Sequence, residues 1–257
     1  MNHQAGKRVC IVTGSSAGIG AATALWFARR DHNIVINYSQ DAAPADVVAQ
    51  QCRAAGAEVL VVRANVADNA QCQALANEVR QRWGGADTLI NNAGAAATMA
   101  DIKDLNALSA EDFQATYAVN VVGTFQMCRA IAPLMKGRIN PSIVNVSSMA
   151  AVMGTGSSMA YAASKGGLNT LTLSMARALA PSIRVNAILP GLVNSNWLLK
   201  RLGPEQFAVR RKRYADRALL NEVIEPDDAA RTAYWLANDA LKVTGQLIQL
   251  DAGFKLG

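Results

Sequence analysis

The chain alternates short β-branched runs with longer alanine-rich stretches. Residues 8–13 (R-V-C-I-V-T) read as a buried strand, followed by a glycine-bearing turn and a helix to about residue 30. Further strands are predicted at 33–37, 58–63, 88–91, 142–147, 183–189 and 246–250. Between them, helices are predicted at about 43–55, 71–83, 110–134, 159–179 and 226–238. Seven strands with intervening helices imply a parallel sheet covered on both faces, because parallel strands need crossover connections that pack back onto the sheet. Right-handed crossovers make this a doubly wound α/β fold, with a ligand crevice at the carboxyl ends of the strands. No internal repeat, low-complexity tract or linker-like stretch interrupts the pattern, so residues 1–257 are expected to form one domain.

Composition narrows the classes further. Of 257 residues, 51% are hydrophobic and 17% charged, enough apolar content to build a full core and exclude disorder. No apolar run reaches the ~18 residues of a membrane span. The first six residues contain no apolar segment of the kind a secretory signal needs. Cys10, Cys52, Cys72 and Cys128 lie far apart with no C-x-x-C pair, which argues for reduced thiols in a cytoplasmic protein and against a zinc site. His3 falls in the tail and His32 in an expected turn before the second strand, so neither serves a Ser-His-Asp triad or a histidine-ligated metal. No metal is expected.

Thr13-Gly14-Ser15-Ser16-Ala17-Gly18-Ile19-Gly20 joins the first strand to the first helix. Glycine there permits a tight turn and lets backbone approach a pyrophosphate, while the helix N-terminus offers free N–H groups and partial positive charge. Tyr161 and Lys165 stand one helical turn apart, placing phenol and ammonium on one face. A tyrosine working near neutrality needs its pKa lowered by about 3 units, or ~4 kcal/mol. One cation ~4 Å away at an effective dielectric of ~20 supplies about that much before desolvation is counted. Lys165 is therefore expected to bring the phenol down.

These motifs, with Asn91-Asn92-Ala93-Gly94, Asn120, Ser148 thirteen residues before Tyr161, and Pro190-Gly191, resemble in order and spacing the compact branch of the short-chain dehydrogenase/reductase family. The resemblance runs from Val9 to Gly253. It implies a Rossmann-type oxidoreductase using NAD or NADP, many members of the family being homotetramers. Gly14, Ser16, Gly18, Ile19 and Gly20 would surround the cofactor phosphates, Asn65 and Val66 the adenine, and Asn92, Ala93 and Gly94 its ribose. Lys165 and Tyr161 would reach the nicotinamide ribose, and Pro190, Gly191, Val193 and Ser195 would orient the nicotinamide. Asn65 and Ser195 depart from the family's usual aspartate and threonine but keep a hydrogen-bonding group. In the implied mechanism Tyr161 is the acid–base, Ser148 holds the substrate oxygen, and Lys165 with Asn120 resupplies the proton. Ser147 is expected to be structural.

An acid closing the second strand would clamp a ribose 2′-OH and repel a 2′-phosphate. Here the strand ends Asn37-Tyr38-Ser39-Gln40, without an acid until Asp41, which favours NADP over NAD. Ala17 stands where many NADP-preferring relatives carry a basic residue, so neutral hydroxyls and amides would hold the phosphate, with an arginine whose position the sequence does not fix. Substrate loops are expected at 95–99, at Met149, Val152, Met153 and Gly154, and at Leu192 with 194–199 including Trp197. This lining is mainly apolar and suits a medium-sized, rather hydrophobic ketone or alcohol. A substrate lid is expected at about 192–222.

Net charge is +6, and Lys200, Arg201, Arg210, Arg211, Lys212, Arg213 and Arg217 concentrate it within the lid segment. A solvated helix face is the default for such a run, and docking of an acidic carrier the sharper reading, which would make the protein a 3-oxoacyl-thioester reductase. Reductases of that kind often have a basic residue just after N-N-A-G, where this chain has Ala95-Ala96-Ala97. Nucleic-acid binding is not expected, since few aromatics interleave the basic residues. A non-catalytic dinucleotide sensor on the same fold is the alternative of another class, disfavoured because Ser148, Tyr161 and Lys165 are all present.

Overall fold

The computed structural model describes residues 6–96 and 103–257. Seven parallel strands form one sheet: β1 (Arg8–Val12), β2 (His32–Tyr38), β3 (Val59–Arg63), β4 (Thr88–Asn91), β5 (Ser142–Val146), β6 (Arg184–Pro190) and β7 (Leu247–Leu250). Their spatial order is β3-β2-β1-β4-β5-β6-β7. The helices are α1 (Gly18–Ala28), α2 (Ala42–Ala54), α3 (Asn69–Trp83), α4 (Ala110–Tyr117), α5 (Thr124–Ile131), α6 (Ala150–Met153), α7 (Met159–Leu179), α8 (Asn196–Leu202), α9 (Pro204–Arg217) and α10 (Pro226–Asn238).

Successive strand residues point to opposite faces, and here both faces are covered. Val9 and Ile11 of β1 join Leu89 and Ile143 in a core beneath α3, α5 and α7. Cys10 and Val12 join Ile34, Ile90 and Val144 in a second core beneath α1, α2 and α10. Continuous β-branched runs follow from this double burial. The chain leaves β1 toward β2 and β3, then returns to place β4 on the other side of β1. That reversal opens a crevice between the turns after β1 and β4.

The strands match expectation to within a residue or two at each end. His32 is a correction: it opens β2 rather than lying in a turn, its ring edge-on to Phe27 at 5.0 Å and its Nδ1 2.7 Å from Arg30 O. The expected continuous helix at 110–134 is interrupted by a π-turn, Ala118–Gly123, between α4 and α5. The segment expected as a lid contains α8 and α9. His3 and residues 97–99 of the first substrate loop lie outside the described residues.

A buried polar chain fixes α7 to the sheet. Asn91 Nδ2 donates to Asn145 Oδ1 at 2.9 Å, and Asn145 Nδ2 donates to Thr172 Oγ1 at 2.9 Å. Ser147 Oγ lies 2.7 Å from Asn169 Oδ1 and 3.2 Å from Lys165 O, in keeping with a structural role. Among the described residues no helix is long and apolar enough to cross a membrane, and all four cysteines are free and buried.

Thr172→Val keeps shape but leaves the Asn145 amide without its acceptor, at a cost of about 1–3 kcal/mol for a buried donor. Urea unfolding should show this as a lower midpoint with an unchanged slope; an unaltered midpoint would contradict the bracing role.

Candidate active site

The turn after β1 is held in a shape that requires glycine. Gly14 has φ +61°, and a Cβ there would sit 2.9 Å from Ala93 Cα. A Cβ on Gly20 would lie 2.5 Å from both Gly14 O and Asn92 Nδ2. Three side chains brace the turn. Thr13 Oγ1 accepts from the N–H groups of Asn92 and Ala93, each at 3.0 Å. Asn92 Nδ2 donates to Thr13 O and Gly14 O, each at 2.9 Å. Asn37 Oδ1 accepts from Gly14 N at 3.1 Å, while its Nδ2 donates to Ala64 O at 3.0 Å.

Helix α1 then starts at Ala17 with no side-chain cap and no acidic residue in its first turn. Its leading N–H groups and its positive dipole end are thus left for an external anion. Ser16, Ala17, Gly18 and Ile19 line a cavity of about 400 Å³ that continues past Asn92, Ala93 and Gly94. At its other end lie Ser148, Tyr161 and Lys165, with Pro190, Gly191, Leu192, Val193, Ser195 and Trp197. A glycine-cradled, uncapped helix end at one extremity fits the pyrophosphate of a dinucleotide.

Ser148 follows β5, and α7 begins with Ser158, whose Oγ accepts from Tyr161 N at 3.1 Å. This cap sets Tyr161 at the first turn of α7, with Lys165 one turn on. The Ser148 hydroxyl lines the same cavity as the Tyr161 phenol and acts to lower its pKa. Lys165 is 3% exposed, and its Nζ donates to Val146 O at 2.8 Å and lies 5.7 Å from the centroid of the Tyr161 ring. Burial lowers the Lys165 pKa to about 8.

The expectation for Tyr161 is corrected in direction. Burial raises its pKa, and this outweighs the lowering by the Ser148 hydroxyl and the Arg201 charge. Desolvation penalises the phenolate more than these neighbours favour it. Lys165 is itself desolvated and committed to a carbonyl. Arg201 reaches in from α8, donating to Ala96 O at 2.8 Å with its guanidinium 4.2 Å from the centre of the Trp197 ring.

Asn120 sits in the π-turn and is fully buried. Its Nδ2 donates to Ala95 O at 2.8 Å and to Ser164 Oγ at 2.9 Å, and its Oδ1 accepts from Ala95 N at 2.8 Å. The amide therefore ties the loop after β4 to α7, beside Lys165. Its own carbonyl accepts from Thr124 Oγ1 at 3.0 Å.

Other candidates fall outside the cavity lining. Gly20 and Asn37 serve close packing and bracing, as above. Asn65 folds its Oδ1 back to Ala67 N at 3.0 Å, and Val66 is buried with its carbonyl accepting from Gln126 Nε2 at 2.9 Å. Tyr38 packs partly on the second core, and Ser39 is exposed at the end of β2. Met149 and Met153 line a neighbouring cavity together with Leu192, which lines both, while Val152, Gly154 and Asn194 join neither. Asn194 Nδ2 instead donates to both Glu225 carboxylate oxygens, at 2.9 and 3.1 Å.

Strand pairing adds what sequence reading missed. Arg63 closes β3 directly beside Tyr38, and its Nε donates to Ser39 O at 3.4 Å. It places a cation at the end of β2, a closeness that only the β2–β3 register reveals. Leu198 and Arg210 also line the first cavity.

A fold of this topology with this crevice defines a dinucleotide-binding oxidoreductase class. The chain belongs to the short-chain dehydrogenase/reductase family and is an NAD(P)-dependent enzyme. A family model described as Enoyl-(Acyl carrier protein) reductase matches residues 14–255. The 3beta-hydroxysteroid dehydrogenase 1 of Eggerthella lenta is 37% identical, over 98% of this chain and 94% of its own. A 3-oxoacyl-[acyl-carrier-protein] reductase of Synechocystis is 32% identical over 96% of each chain. A short-chain dehydrogenase/reductase structure from Burkholderia xenovorans superposes with a TM-score of 0.90 at 40% identity, over 99% of this chain and all of the other. An NAD+-bound xylitol dehydrogenase superposes with a TM-score of 0.87 at 26% identity, over 98% of this chain and 100% of that one.

Proposed function

We propose that this protein transfers a hydride between a nicotinamide cofactor, with NADP favoured, and a medium-sized, rather hydrophobic ketone or alcohol, using Ser148, Tyr161 and Lys165. The observation that carries this reading is the single cavity joining the uncapped N-terminus of α1 to Ser148, Tyr161 and Lys165. When bound, the cofactor supplies or accepts the hydride at its nicotinamide C4. Gly14, Ser16, Gly18 and Ile19 would hold its phosphates, and Pro190, Gly191, Val193 and Ser195 its nicotinamide. Asn92, Ala93 and Gly94 would pass along the ribose, with Lys165 at the other ribose.

In reduction, the Tyr161 phenol gives its proton to the carbonyl oxygen as the carbon becomes a carbinol. The raised pKa keeps that phenol protonated at neutral pH. Ser148 donates to the same oxygen and stabilises charge developing there. The Lys165 ammonium favours the phenolate that remains and leads a proton back to it. Asn120 is a positioning residue, holding the Ala95 backbone and Ser164 around that ammonium.

Preference for NADP draws support from Arg63 and from the missing acid at the end of β2. Arg63, Ser39 and Tyr38 together offer a cation and hydroxyls beside the position of a ribose 2′-substituent. Oligomerisation as a homotetramer is supported by apolar side chains left exposed along α4, the π-turn and α5, namely Phe113, Val122 and Phe125. The free, buried cysteines suit a reducing, cytoplasmic setting.

Titration calorimetry with NADP+ and NAD+ tests the cofactor assignment. NADP+ should bind more tightly, and Arg63→Ala should weaken NADP+ about tenfold, ~1.4 kcal/mol, with little change for NAD+. Tighter NAD+ binding, or equal losses for both, would contradict it. For catalysis, burial lowers the Lys165 pKa, so the charged form disappears as pH rises through about 8. Reduction should be flat below that pH and fall about tenfold per unit above it. A rate flat to ~10, where an ordinary lysine titrates, would contradict control of the reaction by a Lys165 of lowered pKa.

A further inference from the structure

A second cavity, of about 850 Å³, opens beside the first and shares with it Ser148, Gly156, Pro190, Gly191, Leu192 and Arg210. Met149, Met153, Leu202 and Phe254 give it an apolar lining. Helix α9 contributes Val209 and the arginines Arg210, Arg213 and Arg217. Positions i, i+3 and i+7 fall on one helical face, so these guanidiniums form a stripe along the cavity. The rest of the basic run does not share it. Lys212 pairs with Asp216 at 2.8 Å, and Arg211 lines neither cavity. The basic face of α9 is exposed, as expected, and part of it borders this cavity.

Nearby acids are largely committed elsewhere. Glu225 is held by Asn194, while the Asp251 carboxylate accepts from the N–H groups of Gly253 and Lys255, each at 3.0 Å. Glu205 lines the same cavity, but none of the ion pairs among the described residues joins it to an arginine. Arg217 stacks 4.6 Å from the centre of the Phe254 ring and donates to Gly257 O at 3.3 Å. Tyr214, between the arginines, donates to Asp251 O at 2.9 Å and stacks on Phe254 at 4.1 Å, which anchors α9 in this orientation. Arg210 and Arg213 are neighbours of like charge, an unfavourable pair unless an anion lies against them.

We propose that the substrate carries an anionic group, a carboxylate or a phosphate, at the end remote from its carbonyl, and that Arg210 and Arg213 bind it, supported by Arg217. This rests on the reductase reading above and sharpens its substrate class. The apolar lining takes the carbon chain, Ser148 and Tyr161 the carbonyl, and the arginine stripe the charged end. Guanidinium pairs suit both oxyanions, since the planar fork matches either geometry.

The test compares two matched pairs of carbonyl compounds with the full-length protein at low ionic strength, where such contacts are least screened. One pair is 7-oxooctanoate and its methyl ester; the other is acetoacetyl-CoA and the uncharged acetoacetyl thioester of N-acetylcysteamine. Binding of octanoate and methyl octanoate, measured by calorimetry with NADP+ present, gives a readout independent of turnover. In at least one comparison the anion should be favoured about tenfold, through KM or Kd. Which pair shows it identifies carboxylate or phosphate. Arg213→Gln and Arg210→Gln should each reduce that ratio at least about threefold, and Arg211→Gln should not. No preference for any anion, or one surviving both substitutions, overturns the proposal. Turnover of the neutral members without anion preference also overturns it but keeps the reductase reading. Preferential octanoate binding without turnover of any member supports the arginine site and removes the reductase reading.

Discussion

An ammonium removed from water must be given partners or lose part of its hold on its proton, and Lys165 shows both effects. It is almost fully buried, donates to the Val146 carbonyl and has its pKa lowered to about 8. Its position depends on α7 lying firmly on the sheet. Asn145 reaches Thr172 and Ser147 reaches Asn169, so the end of β5 and the body of α7 are joined by buried polar contacts. The first turn of α7, capped by Ser158, then presents Tyr161 beside Ser148.

The opposite end of the crevice obeys a constraint of space rather than charge. Gly14 and Gly20 let the turn after β1 lie directly against the loop after β4, and Asn37 and Asn92 lock the two. The polar side chains nearest the turn are thus used to shape it, which leaves the α1 helix end to meet an anion. Asn120 has a comparable role at the other end, where the π-turn aims its amide at Ala95 and Ser164.

Much of this could be read from the chain before any coordinates. Double-sided burial makes the strands conspicuous, so Ile11, Ile34 and Val144 stood out as strand residues. The glycine turn and the Ser148–Tyr161–Lys165 spacing also pointed to residues that line one cavity. Other features leave no local signal. A π-turn at Ala118–Gly123 keeps helical composition, and the Arg63–Tyr38 neighbourhood exists only because β2 and β3 pair in that register. Asn37 and Asn65 were expected near the cofactor, but that Asn37 also braces Gly14 N and Asn65 folds back to Ala67 N leaves no mark in the chain itself. The direction of the Tyr161 shift was misjudged because a pair of charges can be read from spacing, while desolvation requires the pocket.

We propose that Tyr161 supplies chemistry while the surrounding crevice supplies binding. Tyr161→Phe removes one hydroxyl and leaves the glycine turn and Lys165 in place. Nicotinamide nucleotide affinity and ketone turnover should therefore be measured together on that variant and the wild type. Affinity should stay within about threefold, under 1 kcal/mol, with turnover reduced to background. Retained turnover would contradict the assignment of the proton-transfer step to Tyr161.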